Sequence, residues 1–216
     1  NVSTQYSSGW ASFLSNKLSE GTLFLNYRGY IGVSGFGASN INNSNNGFML
    51  PFATVLTCGT GNYSNGEALS ESFFEAGSEN LPKGAIASVG TATSGTHTMY
   101  NNIVNMGMYW GLFPGKAETA GESLVHGKLH LIKTYPTNNN NNVNIFSHWN
   151  NLMGDPATHL WTDTPQELNV MYNQNLSLGS NFIEVEVNDE NNNPVEGALI
   201  TLLMGNDVIF ESKMTS

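Results

Sequence analysis

Three continuous apolar runs constrain the fold of this chain most strongly. The runs are TLFLNY at 22–27, PFATVLT at 51–57 and GAIASVG at 84–90. Strands that are apolar on both faces need cover on both faces, as in a parallel sheet between layers of helices. The sequence therefore predicts an α/β fold with these runs as adjacent parallel strands, and we expect further strands of this sheet before residue 1.

Segments before, between and after these runs predict the covering helices, because their apolar residues recur at spacings of three and four. A last short helix is predicted within NIFSHWNNLMG, and a polar loop rich in Gly, Asn and Ser is predicted at 31–48. The predicted helices lie at 7–21, 66–77, 99–113, 116–135 and 144–154.

The pattern changes after residue 164. NFIEVEVND alternates apolar and polar residues, and ALITLLMG and DVIFES follow it beyond a turn. Such alternation indicates half-buried antiparallel strands. We expect an α/β domain at 1–164 and the start of an all-β immunoglobulin-like sandwich at 165–216. A sandwich of this kind needs roughly 100 residues, so we expect more chain beyond residue 216.

Composition excludes several classes of function. The chain has 17 acidic and 7 basic residues and a net charge of -10, which argues against nucleic acid and anionic membranes as partners. No apolar run approaches the roughly 18 residues of a membrane span. The abundance of Asn, Ser, Gly and Thr is typical of secreted or cell-surface bacterial proteins. Without an initiator Met or a signal peptide, the sequence is expected to be a piece of a mature protein.

The single cysteine, Cys58, follows the second predicted strand directly. Ligand and catalytic sites of open α/β sheets form beyond the carboxyl ends of the strands. Gly59 and Gly61 follow Cys58, and backbone N–H groups in such a glycine-rich loop suit an oxyanion hole. Cys58 is therefore a candidate nucleophile, and the alternative is a buried apolar side chain without chemistry.

A thiol nucleophile usually needs a histidine base. Of the five histidines, only His97 lies in a loop at the predicted edge of the sheet. His126 and His130 share one helix face but lack a third ligand, so no metal site is predicted there. Loops rich in Asn and Asp carry oxygen ligands that suit calcium, but no spacing matches a calcium motif, and no cofactor is predicted.

Four segments in order resemble the gingipain-type cysteine peptidases. The resemblance covers about residues 9–170. It implies a caspase-like α/β catalytic domain followed by an immunoglobulin-like domain, hydrolysis of peptide or protein substrates, and export by the Type IX route of Bacteroidetes. The segments are LFLNYRGYIGVSGF, LPFATVLTCGTGNYSNGEALSESFFEAG, PKGAIASVGTATSGTHTMYNN and LMGDPATHLWTDTP.

The resemblance also implies roles for residues at two strand ends. The family carries its catalytic His in a Gly-His-Gly motif after one strand and its catalytic Cys after the next. Cys58 matches the Cys and Gly29 matches the first Gly, but Tyr30 stands at the His position and Ile31 at the second Gly. A neutral tyrosine, with an ordinary pKa near ~10, is a poor base.

Two interpretations follow from this departure. In the first, the chain is an active cysteine endopeptidase with Gly29 and Gly59 in support of the oxyanion site. Either Arg28 stabilises the thiolate, or His97 or Tyr30 assists in place of the missing base. In the second, the chain is a catalytically impaired pseudopeptidase that acts as a cell-surface or extracellular scaffold or binding protein.

Overall fold

The structure is a computed structural model that describes residues 2–64, 66–163, 166–180, 182–204 and 209–216. The helices are α1 (Trp10–Glu20), α2 (Ala38–Asn42), α3 (Leu69–Glu75), α4 (Thr98–Leu112), α5 (Ala120–Thr134) and α6 (Asn142–Trp149). The strands are β1 (Phe24–Tyr27), β2 (Phe52–Val55), β3 (Gly77–Ser78), β4 (Leu81–Pro82), β5 (Ala87–Thr91), β6 (Asn150–Met153), β7 (Asn169–Tyr172), β8 (Val185–Asn188), β9 (Leu199–Met204) and β10 (Ile209–Met214). Contacts divide the chain into two units, Asn1–Asp163 and Thr164–Ser216.

The first unit is built on a four-stranded sheet in the order β1-β2-β5-β6. The three apolar runs form its parallel strands, since β1 pairs with β2 and β2 pairs with β5 in the same direction. This confirms the prediction of three neighbouring parallel strands in a mixed α/β fold. The fourth strand, β6, runs antiparallel to β5.

Two buried clusters lie on opposite faces of this sheet and explain why the strands are apolar throughout. Phe52 and Val89 belong to the cluster formed with α4, α5 and α6. Ala53 and Val55 belong to the cluster formed with α1, α2 and α3. Because neighbouring residues of β2 enter different clusters, every side chain of that strand is buried.

Helix α4 packs closely against α5, which fixes its position. A methyl group added at Gly107 would lie 2.9 Å from the Cα of Gly127, and one at Gly111 would lie 2.6 Å from the Cβ of His126. Both distances are shorter than ordinary van der Waals contact. Glycine at these positions therefore permits the close approach of the two helices.

Two predictions about local structure were wrong in part, and the last predicted helix is confirmed over part of its segment. The polar loop at 31–48 contains the one-turn helix α2, and α3 covers only Leu69–Glu75 of the predicted 66–77, followed by the β3–β4 hairpin. The last helix ends at Trp149, and NNLM forms β6 instead of continuing it. These four residues extend because they hydrogen-bond to β5.

The second unit contains two antiparallel strand pairs, β7 with β8 and β9 with β10. Antiparallel strands were predicted in this part of the chain. The immunoglobulin-like arrangement of these strands stays a prediction. The predicted boundary between residues 164 and 165, and residues 207 and 208 of the predicted strand DVIFES, lie outside the described residues.

No helix within the described ranges is long and apolar enough to cross a membrane.

Candidate active site

The ends of β1 and β2 continue side by side beyond the regular sheet. Ile31 and Cys58 form an isolated parallel bridge. The N–H of Cys58 donates to the carbonyl oxygen of Tyr30 at 3.5 Å, and the N–H of Gly32 donates to the carbonyl oxygen of Cys58 at 3.2 Å. The backbone therefore brings position 30 and Cys58 to the same edge of the sheet, at the carboxyl ends of the strands.

Cys58 is buried, with 7% of its surface exposed. Its Sγ lies 2.7 Å from Oγ1 of Thr96, which belongs to the loop between β5 and α4. Either atom can be the donor while the sulfur is protonated, but only the threonine hydroxyl can donate to a thiolate.

Arg28 carries the positive charge nearest in sequence to this edge. Its Nε and Nη2 both donate to Oδ1 of Asn102, at 2.9 and 2.8 Å, and Nη2 also donates to the carbonyl oxygen of Thr98 at 3.4 Å. Its Nη1 is shielded from solvent and has no hydrogen-bond partner in the described structure. Burial lowers the pKa of Arg28 to about 10, and the negative charge of a Cys58 thiolate acts in the opposite direction.

Tyr30 is largely in solvent, with 76% of its surface exposed. Its hydroxyl makes no hydrogen bond to the described residues. Tyr30 stands at the end of a strand next to Cys58, but a side chain this exposed is not packed against the sulfur. Position 30 therefore holds no base in the place where the gingipain-type motif carries histidine.

His97 lies next to Thr96 in sequence and forms the N-cap of α4. Its Nδ1 accepts a hydrogen bond from the N–H of Met99 at 3.1 Å, and its ring packs edge-on against Tyr100 at 5.8 Å. A neutral imidazole that accepts at Nδ1 carries its proton on Nε2. In this arrangement neither ring nitrogen is available to take a proton from a thiol.

The two glycines of the predicted site have different local roles. A methyl group at Gly29 would lie 2.5 Å from the hydroxyl of Tyr27, so the neighbouring ring requires a small residue there. Gly59 has φ +77°, and its N–H donates to the carbonyl oxygen of Thr93 at 2.9 Å. That N–H can serve an oxyanion only when its bond to Thr93 opens.

The loop between β5 and α4 is anchored at its start by β6. Oγ1 of Thr91 donates to Oδ1 of Asn150 at 3.0 Å, and the N–H of Ala92 donates to the carbonyl oxygen of Trp149 at 2.7 Å. The side chain of Asn150 also donates to the carbonyl oxygen of Phe146 at 2.9 Å. This antiparallel strand thus holds the segment that leads to Thr96.

A family comparison agrees with this architecture. The model of peptidase family C25 matches residues 2–161, which is most of the chain. The chain belongs to peptidase family C25. This membership identifies it as a member of a cysteine peptidase family, and no curated protein sequence matches it significantly.

Solved structures similar to this family C25 chain include two of gingipain R. The crystal structure of the Arg-specific cysteine proteinase gingipain R (RgpB) matches with a TM-score of 0.75 and 20% identity, over 95% of this chain and 47% of that one. The complex of Porphyromonas gingivalis RgpB pro- and mature domains matches with a TM-score of 0.74 and 19% identity, over 95% and 48%. At this identity the likeness shows the fold, and the chain spans about half the length of these relatives.

Sequence reasoning missed three side chains of this edge: Thr96, Asn102 and Asn150. The loop at 91–98 was assigned to the site, but nothing in its sequence singles out Thr96 as the residue that contacts the sulfur. The signal for Asn102 was a run of asparagines near the start of a helix whose other positions are mostly apolar.

The described residues contain no group of three or more His, Cys, Asp or Glu side chains arranged to hold a metal ion. His126 and His130 lie instead beside Trp110, with ring centroids 5.9 and 4.8 Å from the indole.

Proposed function

We propose that this protein is a secreted cysteine peptidase that hydrolyses peptide bonds through the thiolate of Cys58. The observation that carries the proposal is the position of Cys58 directly after β2, at the carboxyl edge of the parallel sheet, with its Sγ 2.7 Å from the hydroxyl of Thr96. Membership of peptidase family C25 supports it independently.

The proposed reaction has two steps. The sulfur attacks the carbonyl carbon of the scissile peptide bond, a C–S bond forms, and the C–N bond breaks as the amine leaves with a proton from solvent. Water then attacks the thioester carbon, which releases the carboxylic acid and returns the thiol. In the free protein, backbone N–H groups near Cys58 are already bonded, so oxyanion stabilisation needs a substrate-induced change at Gly59.

The proposal predicts slow turnover. Tyr30 is exposed and is a poor base, and His97 accepts a backbone hydrogen bond at Nδ1. A positioned general base typically contributes about 10²- to 10⁴-fold to the rate. The proposed peptidase therefore relies on a thiolate that forms without a histidine partner.

A non-catalytic scaffold or binding protein is the second candidate. It is favoured by the same two observations, the exposure of Tyr30 and the engagement of His97, because both remove the usual base from the thiol. In that case the peptidase fold, and the antiparallel strands proposed to begin an immunoglobulin-like domain at 165–216, would serve recognition at the cell surface.

The two candidates are separated by incubating the protein with a thiol-directed acyloxymethyl ketone peptide probe and with a panel of fluorogenic peptides. The panel contains Arg, Lys and uncharged residues before the scissile bond, because one similar structure is described as Arg-specific and the chain itself is acidic. We expect labelling and slow cleavage by the natural sequence and neither by Cys58→Ala. Cleavage that survives in Cys58→Ala would refute the proposed nucleophile, and labelling without cleavage would favour the scaffold.

A further inference from the structure

Thr96 contacts the sulfur from a loop that is held at both ends. The hydroxyl of Thr96 has Sγ of Cys58 as its hydrogen-bond partner, and no other partner lies among the described residues. The loop begins at Thr91, which is bonded to Asn150, and it ends at His97, the N-cap of α4. A hydrogen bond from a fixed hydroxyl favours the thiolate over the thiol, since a bond to a charged acceptor is the stronger one.

Arg28 is held by a neutral side chain. Two of its nitrogens donate to one oxygen of Asn102, and its Nη1 is buried without a partner. Among the described residues the ion pair found is Lys17 with Glu20, so no described carboxylate compensates the charge of Arg28. An aspartate at 102 would hold the guanidinium equally well but would cancel its charge, whereas asparagine positions it and leaves the charge available.

Burial lowers the pKa of Arg28, and a negative charge on Cys58 raises it, so the guanidinium and a thiolate at this edge stabilise each other. The N-terminus of α4 acts in the same sense, because Thr96 immediately precedes its N-cap and a helix N-terminus carries partial positive charge. Three independent contributions therefore favour a negative sulfur at this edge: a hydroxyl donor, a guanidinium and a helix N-terminus.

We propose that Thr96 and Asn102 are positioning residues that maintain Cys58 as a reactive thiolate without a histidine partner. Thr96 donates to the sulfur directly, and Asn102 acts through Arg28. The thiol proton passes to solvent water instead of to an imidazole. This inference rests on the proposed role of Cys58 as nucleophile. It explains how the thiol of Cys58 is deprotonated although Tyr30 supplies no base.

The test measures the rate of alkylation of Cys58 by iodoacetamide between pH 5 and 10. In this reaction the thiolate displaces iodide, an S–C bond forms and the C–I bond breaks. We expect Thr96→Val, which removes the hydroxyl while keeping the shape, to move the midpoint of the pH profile up by roughly one pH unit. Thr96→Ser restores the hydroxyl and is expected to keep the midpoint of the natural sequence.

The Asn102→Asp variant distinguishes an electrostatic role of Asn102 from simple packing against Arg28. Asn102 is exposed, so the change does not disturb the core. We expect the midpoint to rise by about half to one pH unit, because the carboxylate neutralises Arg28 toward the sulfur. If Asn102 merely packs against Arg28, the aspartate strengthens that contact and the midpoint stays in place, which would overturn the proposal.

Controls separate the neighbouring titratable groups. Arg28 and Tyr30 come from the end of β1, and His97 comes from the start of α4. His97→Asn keeps an N-cap acceptor and removes the imidazole, so it shows whether that ring contributes to the profile. Ser94→Ala changes an exposed residue of the same loop and is expected to leave the midpoint unchanged.

The two proposals fail differently. If the midpoints of the alkylation profile move as expected but the natural protein cleaves no peptide, the proposed peptidase activity is wrong and the proposed thiolate stabilisation stands. If the protein cleaves peptides but the midpoints do not move, the roles of Thr96 and Asn102 are wrong and the proposed peptidase activity stands. If Thr96→Val does not fold, as judged by circular dichroism, Asn102→Asp alone decides.

Discussion

The ends of β1 and β2 are adjacent, but they are built in different ways. Cys58, after β2, is 7% exposed and is fixed through its sulfur to Thr96 and through its backbone to Tyr30 and Gly32. Tyr30, after β1, is 76% exposed, and its side chain makes no hydrogen bond to the described residues. The fold therefore determines the position of the thiol but leaves the side chain at position 30 free. Changes at the two ends should affect activity and stability differently.

The largest expected effect is a gain of activity in Tyr30→His. An exposed side chain can be replaced at little cost in stability, and the resemblance to gingipain-type peptidases implies that the family's base stands at this position. We expect peptide cleavage to rise by up to about 10²- to 10⁴-fold, measured as kcat/KM on the fluorogenic panel.

The matched control for that gain is Tyr6→His, which places a histidine at another exposed tyrosine, 89% exposed. It should leave the rate unchanged. A Tyr30→His protein that is still labelled at Cys58 but cleaves no faster would show that position 30 does not supply the base in this chain.

A second expected effect is on stability and concerns the interior of the same two strands, β1 and β2. Oγ1 of Thr54 in β2 donates to Oδ1 of Asn26 in β1 at 2.9 Å and contacts the hydroxyl of Tyr109 at 2.8 Å. Burial raises the pKa of Tyr109 to about 12, against the opposing effect of the hydrogen bond to Thr54. The stability of the interior of this strand pair is therefore expected to depend on pH through Tyr109.

The sign follows from the raised pKa. Between about pH 10 and 12 the unfolded tyrosine ionises while the folded one keeps its proton, so stability is complete below pH 10 and is lost as the pH rises toward 12. A shift of this size corresponds to roughly 3 kcal/mol. Urea unfolding at pH 9 and pH 12 should show this loss in the natural sequence but not in Tyr109→Phe. Equal losses in both proteins would contradict the assignment.

The smallest expected effect is steric and concerns the loop that follows Cys58. A methyl group at Gly61 would lie 2.6 Å from the carbonyl carbon of Gly90, whereas one at Gly95 would meet its nearest atom at 3.8 Å. Gly61→Ala should lower the free energy of unfolding by about 1 to 3 kcal/mol, and Gly95→Ala should change it by less than about 0.5 kcal/mol. Equal effects on the urea midpoint would show that the loop after Cys58 adapts freely.

The apolar character and spacing of the three runs were sufficient to predict the parallel strands of the sheet. The runs that became β1, β2 and β5 are apolar on both faces, and that composition requires helices on both sides. Once the strands are parallel, their ends must meet, so the adjacency of Tyr30 and Cys58 could also be predicted. Local signals failed for β6, because NNLM carries no alternation and becomes a strand through its antiparallel pairing with β5.

The contacts that shape the thiol could not be predicted from sequence. Thr96 reaches Cys58 across 38 residues, and Asn102 reaches Arg28 across 74. Neither pair has a fixed spacing, because each depends on how α4 is seated beside the sheet. The role of His97 as an N-cap was likewise hidden, since histidine is not among the residues that usually begin a helix.

The backward course of β6 has a consequence for the order in which the thiol environment is completed during synthesis. Asn150 is translated 59 residues after its partner Thr91. At about 5 to 20 residues per second, this delay is roughly 3 to 12 s. Throughout that interval Cys58 already exists, and the loop that carries Thr96 has its bonds to Gly59 and Gly61 but lacks its bond to Asn150. Full anchoring of this loop therefore requires a strand that is synthesised after both Cys58 and Thr96.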